Sequence, residues 1–175
     1  PRSHTWSKLV ESIKQPKPKI TIALVGKYVT MLDTYASVVE AVKAACWING
    51  VDLNLRWVDS EQLEEGNPGI YLQDVKGIIV PGGFGTRGME GKIKAVQFAR
   101  EKKIPYLGLC LGMQLAVIEF ARNVAGIKGA TSSEFIEEVV ANGNGENCVI
   151  DIMADQKNVK EKGGTMRLGG WDCVL

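Results

Sequence analysis

Histidine is the scarcest chemistry-bearing residue in this sequence of 175 residues, with His4 the only one. Charge of one sign is also lacking, because 21 Lys and Arg face 20 Asp and Glu for a formal net charge of +1. That balance leaves a nucleic-acid or membrane-surface role without electrostatic support. Cys46, Cys110, Cys148 and Cys173 form no C-x-x-C pair, so neither a zinc site nor a disulfide framework is signalled. They read as free thiols of a reducing, cytoplasmic compartment. No apolar run approaches the ~20 residues of a membrane span, and the N-terminus lacks the apolar core of a secretory signal. There is no internal repeat or low-complexity tract. What remains is the composition of a soluble globular chain at a length suited to one core.

Along the chain, Trp6, Leu9, Val10 and Ile13 fall at helical spacing, and Lys14 to Lys19, with Pro16 and Pro18, forms a helix-incompatible connector. Residues 1–19 therefore read as a helix and linker, either an arm on its own domain or a join to another. Residues 20–175 read as the domain itself. Ile20 to Val25 is nearly continuous in apolar character, as a strand covered on both faces would be. A helix is predicted from about Thr34 to Ile48, with Asp33 as N-cap and Asn49-Gly50 as its stop. Val51, Leu53, Leu55 and Trp57 then alternate with polar residues, the pattern of a half-exposed strand. The order repeats: strand Gly77 to Val80, loop Pro81 to Gly85, helix Glu90 to Lys102, strand Pro105 to Leu109, helix Leu111 to Val124. Such alternation predicts an α/β fold with a doubly wound, mainly parallel sheet flanked by helices. The C-terminal part is more β-like, with a turn at Asn142 to Gly145 and strands at Cys148 to Met153 and Gly163 to Leu175. The opening at Pro1 and the close at Leu175 within an alternating stretch read as those of a fragment.

Gly108-Leu109-Cys110-Leu111-Gly112 places a thiol between a predicted strand and a predicted helix, flanked at two residues on either side by glycine. This is the pattern of a nucleophile elbow, whose tight turn strains the central residue and whose small neighbours let strand and helix close on it. The thiol then faces a helix N-terminus, which favours an anion, and the Leu111 amide is aimed at a tetrahedral oxyanion. A bare G-x-C-x-G is as readily a small buried thiol closing a strand; the strand before it and long helix after it favour the elbow. Pro81 to Gly85 alone is an ordinary strand-to-helix turn, a reading that loses weight because two backbone donors near one thiol are what acyl transfer needs.

These motifs closely resemble those of the class I, triad-type glutamine amidotransferases, and within them the glutaminase domains of the CTP synthases. Many amidotransferases share the Cys110 elbow and the Val80-Pro81-Gly82-Gly83-Phe84-Gly85 loop. The narrower likeness rests on Ile22 to Tyr28, Arg87-Gly88-Met89-Glu90-Gly91 and Gly163 to Gly169. The resemblance implies a flavodoxin-like fold in which Cys110 attacks the side-chain amide of L-glutamine and forms a thioester. It implies an oxyanion hole from the amides of Leu111 and Gly83, and glutamine contacts from Gly83, Phe84, Leu111, Gly112, Met113, Gln114 and Glu134, with Glu134 on the α-amino group. It assigns Arg87, Gly88, Glu90 and Arg167 to a GTP-responsive lid or effector site. It implies no cofactor or metal in this domain, ATP and Mg in a covalently joined synthetase half that aminates UTP to CTP, GTP as allosteric activator, and a homo-oligomer, a tetramer, as the full enzyme.

One departure bears on activity. The family orients a triad His by a Glu two residues on, to protonate leaving ammonia and activate water, whereas His4 lies before the linker with no such Glu. Truncation, a residue pair supplied by another chain, and a catalytically incomplete regulatory or binding module all account for this, and truncation is the expectation. A stand-alone cysteine hydrolase such as a γ-glutamyl hydrolase is the rival enzyme; it would need neither the linker nor Gly163 to Gly169.

Overall fold

A computed structural model describes residues 2–29, 31–135 and 147–152. Strands β1 (Lys19–Gly26), β2 (Asp52–Asp59), β3 (Gly77–Val80) and β4 (Tyr106–Gly108) form a wholly parallel sheet in the order β2-β1-β3-β4. The apolar runs explain the order. β3 is buried at every residue and the second half of β1 likewise, as strands inside a helix-covered sheet must be. β2 ends the sheet among the described residues, and its alternation is weaker than predicted because most of its residues are partly exposed.

Helix α1 (Arg2–Lys14) precedes the sheet, and α2 (Ala36–Ile48) connects β1 to β2. Two short helices, α3 (Ser60–Glu65) and α4 (Pro68–Leu72), connect β2 to β3. The long α5 (Met89–Lys102) and α6 (Leu111–Asn123) follow β3 and β4. Beyond them lies a short parallel pair, β5 (Thr131–Ser132) with β6 (Cys148–Ile150). The β-like C-terminal turn at Asn142 to Gly145, the end of the predicted strand at Met153, the stretch Gly163 to Leu175, Arg167 and Cys173 lie outside the described residues.

One local reading is corrected. Asp33 does not cap α2: Leu32–Tyr35 is a 3-10 turn, the Ala36 N–H donates to the Asp33 backbone oxygen, and the cap position falls to Tyr35. The α3–α4 pair escaped the periodicity because each is too short to show a face. Their caps are nonetheless in the sequence: Asp59 Oδ1 accepts the Glu61 amide and Asn67 Oδ1 the Gly69 amide, both at 2.9 Å, with Pro68 opening α4.

The core has two centres. Ala23, Val25, Ile78 and Val80 of the sheet pack with Leu63, Leu72 and Ala95, while Met89, Ile93, Leu111, Leu115, Ile118 and Phe135 join α5 to α6. Arg100 of α5 also donates through Nε and Nη2 to Glu119 of α6, which is 1% exposed, the pairing a buried carboxylate requires. Because the strands are parallel and in register at Gly26–Asp59 and Val80–Gly108, the loops leaving β1, β3 and β4 emerge at one edge. That edge is where an open parallel sheet binds ligands.

Candidate active site

Cys110 joins β4 to α6 with φ 52° and ψ −110°. Lys103, the other described non-glycine residue with positive φ, ends α5 in the ordinary left-handed region, whereas ψ takes Cys110 out of it, a conformation that costs about 1–3 kcal/mol. The surroundings hold it there. The Leu109 amide donates to the Val80 oxygen at 2.9 Å, and the Met113 and Gln114 amides donate to the Cys110 oxygen at 3.1 and 3.2 Å. A Cβ on Gly108 would lie 2.5 Å from the backbone of Gly112 and Met113, and one on Gly112 would lie 2.1 Å from the Val80 oxygen. Both glycines of the motif are therefore demanded by contact rather than by turn conformation. Tyr106 adds a strut, its hydroxyl donating to the Gly112 oxygen at 2.8 Å; burial pushes its ionisation well up, so it stays a donor. The thiol itself is exposed.

The amides of Gly112, Met113 and Gln114 all have acceptors, while those of Leu111 and Gly83 have none among the described residues. The Pro81 to Gly85 loop lies against the thiol, since a Cβ on Gly82 would sit 3.3 Å from Cys110 Cβ and 3.9 Å from Sγ. Gly83 faces the Leu111 side chain, and Lys27, at the end of β1, donates its amine to the Phe84 oxygen. Phe84 and Met113 are exposed at this edge, and Gln114 is half-buried in the first turn of α6. Glu134 lies in the 3-10 turn Ser133–Phe135, its amide donating to Ser132 Oγ and its carboxylate without a partner among the described residues. Phe135 beside it packs against Leu111 and Leu115, which ties the turn to the helix that begins at the thiol.

In the Arg87 to Gly91 motif the two glycines meet a close neighbour. A Cβ on Gly88, at φ 72°, would lie 2.1 Å from Ser60 Oγ, and one on Gly91 would lie 1.7 Å from the Ser60 oxygen, so the glycines admit the start of α3 against α5. Arg87 pairs with Glu61 at 2.6 Å and lies over the Tyr28 ring. Glu90 faces the other way and pairs with Arg122 of α6 at 2.9 Å.

Sequence reasoning overlooked Lys27, Tyr106, Arg122 and Lys92. Lys92 is 1% exposed, with its amine beside Gly83. Burial first, then the charges of Lys27 and Arg87, push it down to about 8. Its signal was visible: it interrupts the apolar face formed by Met89, Ile93 and Val96.

Among the described residues no group of three or more His, Cys, Asp or Glu could hold a metal, and no helix is long and apolar enough to cross a membrane. A cavity of about 650 Å³ lies between α2 and the sheet, lined by Ile20, Val42, Cys46, Ile79, Tyr106 and Leu107 among others. It includes neither Cys110 nor the Pro81 to Gly85 loop.

Residues 30–173 match the family described as Glutamine amidotransferase class-I. The chain belongs to the class I glutamine amidotransferases. This amidotransferase chain is 55% identical over 170 residues to the CTP synthase of Carboxydothermus hydrogenoformans, covering 97% of the chain and 31% of that relative. It is 53% identical to the CTP synthase of Roseiflexus castenholzii over its whole length, again 31% of the relative. The chain thus spans about a third of the length of the curated relatives it matches. Among solved structures it is similar to the glutaminase domain of Trypanosoma brucei CTPS with bound acivicin, at a TM-score of 0.68 and 42% identity over 79% of this chain and 52% of that one. The family and the parallel, helix-flanked sheet agree with what the motifs implied.

Proposed function

We propose that this domain hydrolyses L-glutamine through Cys110 and serves a CTP synthase as its glutaminase. The observation that carries the reading is the exposed, strained thiol that opens α6 against the Pro81 to Gly85 loop, with the Leu111 and Gly83 amides left without an acceptor among the described residues. In the proposed reaction the Cys110 sulfur attacks the side-chain amide carbon of glutamine, and the carbonyl oxygen becomes an oxyanion facing those two amides. Collapse expels ammonia and leaves a glutamyl thioester, which water cleaves to glutamate and free thiol. Gln114 and the exposed Phe84 and Met113 border the substrate, and Glu134, whose carboxylate has no partner among the described residues, receives its α-ammonium. The proton for ammonia and the activation of water call for a general acid and base, and the one histidine of the sequence, His4, belongs to α1.

In the whole protein, residues 1–19 join the domain, residues 20–175, to a synthetase half that uses ATP and Mg to convert UTP to CTP in a cytoplasmic homo-oligomer. GTP acts as activator. Its site takes in Arg87, Gly88, Glu90 and Arg167, with the Arg87 cation suited to its phosphates; Arg87 pairs with Glu61 and Glu90 with Arg122 in the described residues.

Treatment with acivicin, followed by mass analysis, tests the site. The expected result is a single adduct on Cys110 that glutamine suppresses and Cys110→Ala abolishes. An adduct elsewhere, or one indifferent to glutamine, overturns the assignment. Glutamine-dependent CTP formation by the full-length protein tests the larger role.

A further inference from the structure

Three elements meet at Arg122. Its Nη1 donates to both carboxylate oxygens of Glu90, at 2.9 and 3.0 Å, and its Nε donates to the Ala130 carbonyl at 2.6 Å. Glu90 opens α5, Arg122 closes α6, and Ala130 leads directly into β5 and the turn that carries Glu134. Ala130 is fully buried, as is Thr131, and the Thr131 amide continues the path by donating to the Asn147 oxygen. The Glu134 turn is thus fixed at its far end by Phe135 in the core, within it by Ser132 Oγ, and at its near end by one guanidinium.

We infer that Arg122, held by Glu90, is a positioning residue that sets where Glu134 receives the substrate's α-ammonium, and so governs preference for substrates bearing a free α-amino group. The inference rests on the proposed role of Glu134. A guanidinium suits the task because its rigid fork serves the Glu90 carboxylate and the Ala130 carbonyl at once, and an ammonium on a flexible stem cannot. The charged bond to Ala130 is also of the strong class, between a cation and an acceptor on a fully buried residue. Glu90, half-exposed, contributes by orienting Arg122 rather than by touching substrate.

The test compares two electrophiles on Cys110 of the same chain: acivicin, whose amino-acid part needs Glu134, and iodoacetamide, which needs only the thiol. In Arg122→Gln the acivicin rate is expected to fall on the order of tenfold while the iodoacetamide rate stays within about twofold. Arg122→Lys recovers only part of the loss. Glu90→Gln, the milder change at a half-exposed site, lowers acivicin selectivity in the same sense, and adding it to Arg122→Gln produces little further loss. An equal fall for both reagents, or unchanged selectivity in both variants while the parent still shows glutamine-suppressed labelling, overturns the inference and leaves the reading of the site standing. Absence of glutamine-suppressed labelling in the parent overturns that reading itself.

Discussion

Gly112 packs so closely on Val80 that a Cβ there would meet the Val80 carbonyl oxygen at 2.1 Å. The obstacle is sheet backbone rather than a side chain that could swing aside. Gly112→Ala is expected to cost more than about 3 kcal/mol or to prevent folding. Gly126→Ala is the comparison: that residue has φ 72° but nothing within 4 Å, so only the backbone penalty of about 1 kcal/mol applies. Denaturant melts of both variants measure the contrast, and similar losses would show that contact is not what Gly112 relieves.

The backbone of Cys110 offers a second test, because its strain can be removed along with its chemistry. Cys110→Gly is expected to raise stability by about 1 kcal/mol, the relief of strain less the greater freedom glycine has when unfolded. Cys110→Ala, which keeps a Cβ at φ 52°, should show no such gain. Both lose alkylation. Thermal melts that place glycine at or below alanine would contradict a strained elbow.

Lys92 makes stability depend on pH. Its ammonium titrates at about 8 in the folded chain against an ordinary 10.5. Below about 8 both folded and unfolded chains hold the proton and the burial penalty is complete. Between there and 10.5 the unfolded chain holds more protons, so Lys92 makes stability rise with pH across that window. Lys92→Met is therefore expected to stabilise the domain near pH 7 by about 1–3 kcal/mol and to lose most of that advantage by pH 10. Denaturant titrations of the parent and the variant at both values decide it, and a constant difference would refute the charge argument.

Tyr106→Phe removes the 2.8 Å bond to the Gly112 oxygen and leaves the ring. The expected cost is about 1 kcal/mol, accompanied by slower acivicin labelling as the first turn of α6 loosens beneath the thiol. Unchanged labelling at reduced stability would confine Tyr106 to the fold.

The parallel sheet and the two long helices were legible because burial on both faces writes continuous apolar runs such as Ile78-Ile79-Val80, and burial on one face writes a helical period. The elbow was legible for a related reason: Gly108 and Gly112 are forced by backbone contacts that accept no other residue. Where an element is short or its purpose lies across space, the sequence is silent or misleading. Gly88 and Gly91 accommodate Ser60, a residue from another helix, which no local reading of Arg87 to Gly91 contains. Glu90 looked like part of the same charged motif as Arg87, yet one turns to α3 and the other to α6. Asp33 resembled a cap until the 3-10 turn moved the helix start past it.

The site's parts are drawn from Lys27, Gly83 and Cys110, which the parallel sheet brings to one edge, and from Glu134, whose turn Phe135 anchors in the core beside α6. The torsion of Cys110 is imposed by β3, β4 and α6 together, so no local segment can present the thiol in that form during synthesis or after partial unfolding. Labelling by acivicin, unlike alkylation by iodoacetamide, therefore depends on those long-range contacts, and an acivicin time course on refolding chain is expected to report completion of the domain rather than its collapse.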